Sequence, residues 1–370
     1  NPDLMEEHVN QEESFRVGGY GQRQISELLQ NAVDALTMGR KRGAIEFRVA
    51  DGALYCANEG EPFARKGVRA VCYAFLSPKR EEEIIGRFGL GFKSVLGITN
   101  HPQVFSRSVS FDFNAPGSEE LFASIPAATG RPLPLLRVPS LIDVAPEAKN
   151  DPHLAEMMEW ASTIVKLPLT NDGPRIRAEL AAFATESLLF MKSVDQLTIS
   201  LQDTSNKLLT KVHRREATKD SGTIRLHAPD AAPTDWLFAE RDYAPSDAVL
   251  KTLPENASRR KMGVSYAVPV DGSASLGAFW AWFPLRDQTT ARGIFNAPWQ
   301  VNDDRTTMLT ASALNGEMLA VCAELFLDVA VRASTPEDPA AHLDLFPARG
   351  REARSAADRM LSELIPELAR

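Results

Sequence analysis

Residues 24–57 constrain the fold more than any other stretch of the chain. Gln24–Met38 places Ile25, Leu28, Leu29, Ala32 and Leu36 at the three- and four-residue spacing that lines one face of a helix. The run ends in Gly39-Arg40-Lys41-Arg42-Gly43, where glycine and cations suit a helix C-terminus. Two strand-like runs, Ala44–Ala50 and Ala53–Ala57, then flank Asp51-Gly52, a dipeptide that strongly favours a tight hairpin turn. An amphipathic helix followed at once by a hairpin has to bury its apolar face on the sheet the hairpin begins, which predicts a layered α+β unit.

The remaining pattern extends that unit and adds a second one. Gly67–Leu76 reads as a helix, Ser77–Glu83 as a charged, mobile segment, and Phe88–Ile98 as glycines leading into a new helix. Gln103–Ser106 and Ser108–Phe113 read as strands, whereas Ala115–Asp151 is rich in Pro, Ala and Gly without a period and reads as a loop excursion or insertion. Thr163–Leu169 is an expected strand, and Arg175–Met191 an expected helix leading into the strand Gln196–Leu201. Fresh strand-like runs at Gly222–His227, Met262–Pro269 and Ala278–Pro284 mark a second α+β domain. Leu314–Val331 is an amphipathic helix and Ser334–Asp338 a linker. Glu352–Ile365 is a last helix, stopped by Pro366, whose apolar face needs a partner. The expected domains are therefore 1–172, 173–335 and a linker with C-terminal helix at 336–370.

Composition excludes several classes. A chain of 370 residues with 44% apolar content can bury more than one core. The net charge of −8 argues against a large nucleic-acid footprint. Cys56, Cys72 and Cys322 are far apart and form no C-x-x-C, so neither a disulfide framework nor a zinc site is expected. Asn1–Phe15 is polar and acidic, unlike a secretory signal, and the apolar stretch around Leu276–Leu285 is about half of the ~20 residues that a membrane helix requires. A cytoplasmic protein without membrane partners is expected. Its start at Asn1 suggests a trimmed chain or a fragment.

Three groups of residues carry chemistry. Glu27, Asn31 and Asp34 stand at i, i+4 and i+7 on one face of the first helix. A carboxylate one turn before an amide oxygen offers a base for a water beside an oxygen ligand for Mg²⁺, a cation that keeps most of its waters. The alternative is an ordinary solvated helix face. Gly86-Arg87-Phe88-Gly89-Leu90-Gly91-Phe92-Lys93-Ser94 runs straight into a helix. Its glycines let backbone N–H groups approach phosphate oxygens, with Lys93 adding a point charge, although a glycine loop can equally just turn a corner. The order G-x-x-G-x-G differs from the dinucleotide fingerprint, and no G-x-x-x-x-G-K-[ST] is present. Asn58-Glu59-Gly60 closes the strand Ala53–Ala57. There the Asn58 carbonyl can accept an adenine amino proton while Gly60 lets the chain turn beneath the base, and the alternative is a plain Asn/Gly turn.

Taken in order, Glu27–Ala35, Asn58–Gly60 and Ile85–Ser94 resemble the three motifs of the Bergerat ATP-binding fold, shared by gyrase, heat-shock chaperone, histidine-kinase and MutL-type ATPases. The stretch to Arg107 is most similar to the ninety-kilodalton heat-shock chaperones and the sacsin-like branch. The resemblance implies a two-layer α/β sandwich followed by a transducer-like domain, with ATP and Mg²⁺ as cofactors. It implies that Glu27 orients or deprotonates the attacking water, that Asn31 ligates Mg²⁺ and that Asp34 supports the inner edge of the site. Asn58 stands where most of the superfamily has an aspartate. Thr163 matches a threonine beside the base, and Ser77 and Lys79 fall in the lid over the phosphates. Trp282–Leu285 and Phe295–Thr307 resemble the middle domain, in which a basic residue reaches the γ-phosphate, and Arg305 is the candidate for that role.

The expected activity is Mg²⁺-dependent ATP hydrolysis that drives lid closure and domain rearrangement in a chaperone-like or defence-associated machine. A homodimer, further domains of a longer protein or a client protein are its compatible partners. The alternatives are a regulatory module that binds nucleotide without turnover, a histidine-kinase-like protein and a DNA-associated ATPase. No histidine lies on an obvious phosphoacceptor hairpin, and the acidic balance disfavours direct nucleic-acid contact.

Overall fold

A computed structural model describes residues 2–17, 23–72, 91–123, 132–171, 173–219, 222–253, 261–272, 277–302, 305–347 and 352–370. The chain divides into two units, residues 1–184 with 193–213, and residues 185–192 with 214–370. Among the described residues no helix is long and apolar enough to cross a membrane.

The first unit opens with α1 (Pro2–Val17) and α2 (Gln24–Met38), followed by the hairpin β1 (Gly43–Ala50) and β2 (Ala53–Asn58). The helix α2 stops because Arg40 turns left-handed (φ 49°), which lets the Lys41 N–H reach the Leu36 carbonyl at 3.1 Å. The hairpin turn is also left-handed at both of its residues, Asp51 (φ 47°) and Gly52 (φ 73°), as the Asp-Gly pair demands.

After α3 (Arg65–Cys72) and a 3-10 helix, Gly91–Gly97, come β3 (Gln103–Ser106) and β4 (Phe111–Asp112). The stretch that the sequence leaves unplaced contains α4 (Ala115–Phe122), β5 (Ser140–Leu141) and α5 (Val144–Asn150), and leads into α6 (Pro152–Trp160). Asn114, Asp143 and Asp151 cap the three helices by accepting N–H groups of Gly117, Ala145 and Leu154. The unit is completed by β6 (Thr163–Pro168), α7 (Gly173–Ala181) and β7 (Val194–Gln202).

Its strands run in the order β7-β1-β2-β6-β3-β4-β5, with β1 and β7 parallel and the other pairs antiparallel. Register partners Phe47, Cys56 and Ile199 share the face beneath α2, where the Cys56 thiol meets the Leu28 carbonyl at 3.9 Å. Tyr55, Ala57, Phe105 and Ile164 point the other way and pack against Leu154, Met157 and Ala161 of the α6 region. β2 is thus buried along its whole length, with α2 on one face of the middle strands and α6 on the other. On that second face Arg48 joins Glu46 at 2.9 Å and Glu156 at 2.8 Å, a partly buried ion-pair network.

The expected helix Arg175–Met191 is broken. α7 ends at Ala181, and Thr185–Phe190 is a 3-10 turn belonging to the second unit. Leu188, Leu189, Phe190 and Met191 are consecutive and all buried, which no single helical face permits.

The second unit takes up nearly all of the remaining chain, with β8 (Leu208–Ala217) divided between the units at residue 213. It adds β9 (Thr223–His227), β10 (Thr234–Tyr243), α8 (Asp247–Leu250), β11 (Met262–Pro269), β12 (Gly277–Trp280), β13 (Pro284–Thr289), β14 (Ile294–Asn296), α9 (Ala313–Ala333) and α10 (Ala356–Leu368). The strand order is β13-β12-β14-β11-β10-β9-β8. Tyr266, Phe279, Phe295 and Trp299 of the sheet region pack against Met318, Cys322 and Phe326 of α9. Ala357, Leu361 and Ile365 of α10 join the same core, so the last helix finds its partner inside the unit. α10 starts late, after the Ser355 cap, and runs through Pro366 instead of stopping there. Pro366 lacks the N–H that would bond the Ser362 carbonyl, and because less than one turn follows it, the loss falls on the last turn of the helix only.

Candidate functional site

The apolar spacing of α2 presses Leu28, Leu29, Ala32 and Leu36 into the core and leaves Glu27, Asn31 and Asp34 along one edge of the helix. Glu27 is 8% and Asp34 1% exposed, and Asn31 is half-buried. Gly91 comes up against the first of them: a Cβ at residue 91 would lie 2.0 Å from Glu27 Oε2 and 2.9 Å from its carboxylate carbon. A side chain there would have to push the Glu27 carboxylate aside. The 3-10 turn is held in place by its own atoms and by α2. Ser94 Oγ donates to the Gly91 carbonyl at 2.7 Å, and Gln24 Nε2 donates to the Ser94 carbonyl at 3.1 Å. Gln24 is wholly buried, and its Oε1 accepts from Arg175 Nη2 at 3.0 Å. Gln24 and Arg175 escape a motif-based reading because their work is to join elements distant in sequence.

The other end of the site lies at the end of the sheet. Asn58, Thr163 and Ser106 are register partners across β2, β6 and β3 and share the α2 face. The hydroxyls of Thr163 and Ser106 are 3.1 Å apart, and Ser106 Oγ accepts the Phe63 N–H at 3.0 Å. Asn58 Oδ1 accepts the Gly60 N–H at 3.0 Å, which leaves one lone pair of that oxygen for another donor. Gly60 rests on α2: a Cβ there would lie 2.4 Å from the Ala35 carbonyl carbon and 2.5 Å from the Leu36 nitrogen. The Glu61 N–H binds the Ala35 carbonyl at 2.8 Å. Thus the glycine turn meets α2 at Glu27 and the Asn58–Gly60 turn meets it at Ala35, about 12 Å further along at ~1.5 Å per residue.

Of the other expected residues, Phe92 is buried and Lys93 is fully enclosed, with no exposed surface. Ser77, Lys79, Gly86, Phe88, Gly89 and Leu90 lie outside the described residues. Arg305 belongs to the second unit, in a turn where it has positive φ (51°) and its N–H binds the Asn302 carbonyl at 2.8 Å. The Asn302 side chain fixes that turn by accepting the N–H groups of Thr306 and Thr307 at 3.0 and 3.1 Å.

Among the described residues no three His, Cys, Asp or Glu side chains are grouped to cage a metal ion. The donors along α2 suit a cation that takes one protein oxygen and keeps its waters, as Mg²⁺ does. No protein-family profile and no curated protein matches the chain.

Proposed function

We propose that the first unit binds Mg²⁺–ATP and hydrolyses it, as do the Bergerat-fold ATPases its motifs resemble, and that the second unit acts as a transducer. The observation that carries the reading is the contact between the Glu27 carboxylate and the Cβ-less position of Gly91. It sets a base at the mouth of a glycine turn, where a terminal phosphate has reason to lie. A nucleotide-length span along α2 separates that point from Asn58 and Thr163, which would meet the base through the second Asn58 lone pair and the Thr163 hydroxyl. Asn31 would hold Mg²⁺ through its amide oxygen, and the metal would supply neutralisation of phosphate charge. Asp34, buried two turns along α2 from Glu27, would orient the inner edge.

In the reaction Glu27 takes the proton of a water whose oxygen bonds to the γ-phosphorus. The bond from that phosphorus to the β–γ bridging oxygen breaks and the electron pair leaves with ADP. Ser77 and Lys79 would close over the phosphates, and Arg305 would bring a cation to the transferred group. Such a cycle fits a chaperone-like or defence-associated machine with a client or partner chain.

The test is turnover of Mg²⁺–ATP by wild type and Glu27→Ala. The expected result is a loss of about 100-fold or more in rate, with nucleotide affinity kept within a few-fold. Equal, slow turnover by both proteins would leave a module that binds nucleotide without hydrolysing it. Asn31→Ala should abolish the Mg²⁺ dependence of binding, and an unchanged affinity ratio with and without metal would remove Asn31 as ligand.

A further inference from the structure

Asn58 and Thr163 are 5% and 3% exposed at the end of the sheet. Among the described residues the Asn58 side chain makes a single hydrogen bond, in which Oδ1 accepts the Gly60 N–H at 3.0 Å. That bond decides which end of the amide is oxygen, and it leaves Nδ2 with two N–H groups and no acceptor among those residues. The nitrogen is not sealed in, as the unpartnered Trp236 Nε1 is. A nearly buried N–H without an acceptor is destabilising, and a ligand that supplies the acceptor relieves it.

The neighbouring hydroxyls are equally uncommitted. Thr163 Oγ1 meets Ser106 Oγ at 3.1 Å, and either oxygen can be the donor. Ser106 has a second outlet for its proton in the Ser162 carbonyl at 3.3 Å, so Thr163 can donate to a ligand or accept from one. The register row Asn58, Thr163 and Ser106 contains no carboxylate. The edge of adenine offers an amino donor beside a ring acceptor, whereas the edge of a 6-oxopurine offers a carbonyl acceptor beside a ring N–H. A carboxylate, which only accepts, matches the amino group and opposes the carbonyl. An amide matches both edges: its oxygen takes the adenine amino proton while Nδ2 donates to the ring, and on a 6-oxopurine Nδ2 donates to the carbonyl while the oxygen takes the ring N–H.

We infer that the base end of the site accepts 6-oxopurine nucleoside triphosphates, GTP and its 2-deamino analogue ITP, as well as ATP. The inference rests on the nucleotide reading of the first unit and widens its substrate class, with Asn58 as the residue that sets it. What widens the class is the unpartnered Nδ2, since the oxygen alone would suit adenine.

Calorimetric titration of the whole chain with the Mg²⁺ complexes of ATP, ITP, GTP and UTP tests this. ITP differs from GTP by lacking the 2-amino group, so it reports the carbonyl edge alone. Wild type should bind ITP within about tenfold of ATP, because the same number of hydrogen bonds is made to each. Asn58→Asp keeps an oxygen for the Gly60 N–H and so keeps the turn. It should weaken ITP and GTP about ten- to a hundred-fold, the effect of leaving a carbonyl unpaired against a carboxylate, and hold ATP within a few-fold. Should that variant melt early, the wild-type ratio of ITP to ATP affinity decides alone. Binding of ITP without GTP supports the inference and narrows it to bases without a 2-amino group. ITP weaker than ATP by more than about a hundred-fold in wild type overturns it and leaves an ATP site. So does a folded Asn58→Asp with the wild-type ratio, or UTP as tight as ATP, which would mean that the base is not read. If none of the four binds, the nucleotide reading itself falls, and this inference with it.

Discussion

Gly91 and Gly60 both stand against α2, and what each one touches decides what a methyl group would do there. At Gly91 the obstructing atoms belong to the end of a flexible side chain, with Glu27 Oε2 at 2.0 Å. In Gly91→Ala the carboxylate can swing aside, so the loss of stability should stay below about 1 kcal/mol. Position, however, is what a general base contributes, and a displacement of about 1 Å costs on the order of 100-fold in rate. The expected outcome is a near-normal melting curve with ATP turnover reduced at least about tenfold. Normal turnover would show that Gly91 does not set the place of Glu27. At Gly60 the obstructing atoms are backbone, Ala35 C at 2.4 Å and Leu36 N at 2.5 Å, and these cannot yield without moving the helix. Gly60→Ala should therefore destabilise the first unit by about 1–3 kcal/mol, the usual range for overpacking, as read by urea unfolding. A change under ~0.5 kcal/mol would mean that α2 is less firmly seated on β2 than its hydrogen bonds indicate.

At the scale of elements, legibility followed the range of the interaction that fixes each one. α2, β1 and β2 are written locally, in a 3.6-residue apolar period and an Asp-Gly turn, and their bounds could be read directly. The helices of residues 115–160 are written in their caps, Asn114, Asp143 and Asp151, but Pro, Ala and Gly hide the period. α1 was missed because its buried anchor is a carboxylate, Glu12, whose partners lie more than 120 residues away. The break after α7 has a similar origin: tertiary burial of Leu188–Met191 overrides helix propensity. The same division holds within the candidate site. Glu27, Asn31 and Asp34 share a face by spacing alone, whereas Ser106 and Gln24 become visible only once β3 pairs with β6 and the 3-10 turn settles against α2. The seating of α10 also belongs to this scale. Leu361 is wholly buried in the second core, and Leu361→Ala should cost about 2–5 kcal/mol in a calorimetric or denaturant unfolding measurement. A cost near zero would mean that α10 is an accessory to that core.

For the molecule as a whole, pH is the variable that separates these contributions. His213 is buried at 5% exposure against the Phe183 ring, with centroids 5.1 Å apart. Burial, then the charge of Lys211, push its imidazole from 6.5 down to about 4. Between those two values the unfolded chain holds a proton that the folded chain refuses. Stability from His213 is therefore complete above pH 6.5 and is lost as pH falls toward 4, in total on the order of 3 kcal/mol. Glu12 and Glu179 act in the opposite sense. Burial raises both carboxyls, so they take up protons in the folded state first and gain stability as pH falls. Asp151 and Glu156 are lowered by hydrogen bonds and ion pairing that outweigh burial, and their loss lies lower on the scale, from about pH 4.5 downward. The raw pH profile is thus a difference of opposing slopes, and its shape alone assigns nothing. Subtracting the profile of His213→Phe, which keeps a ring against Phe183, cancels the carboxylates. The remaining curve should be flat above about pH 6.5 and fall by on the order of 3 kcal/mol by about pH 4 in urea titrations at matched ionic strength. Parallel profiles for the two proteins would mean that the His213 ring is hydrated in solution and that the core around β8 is open to water.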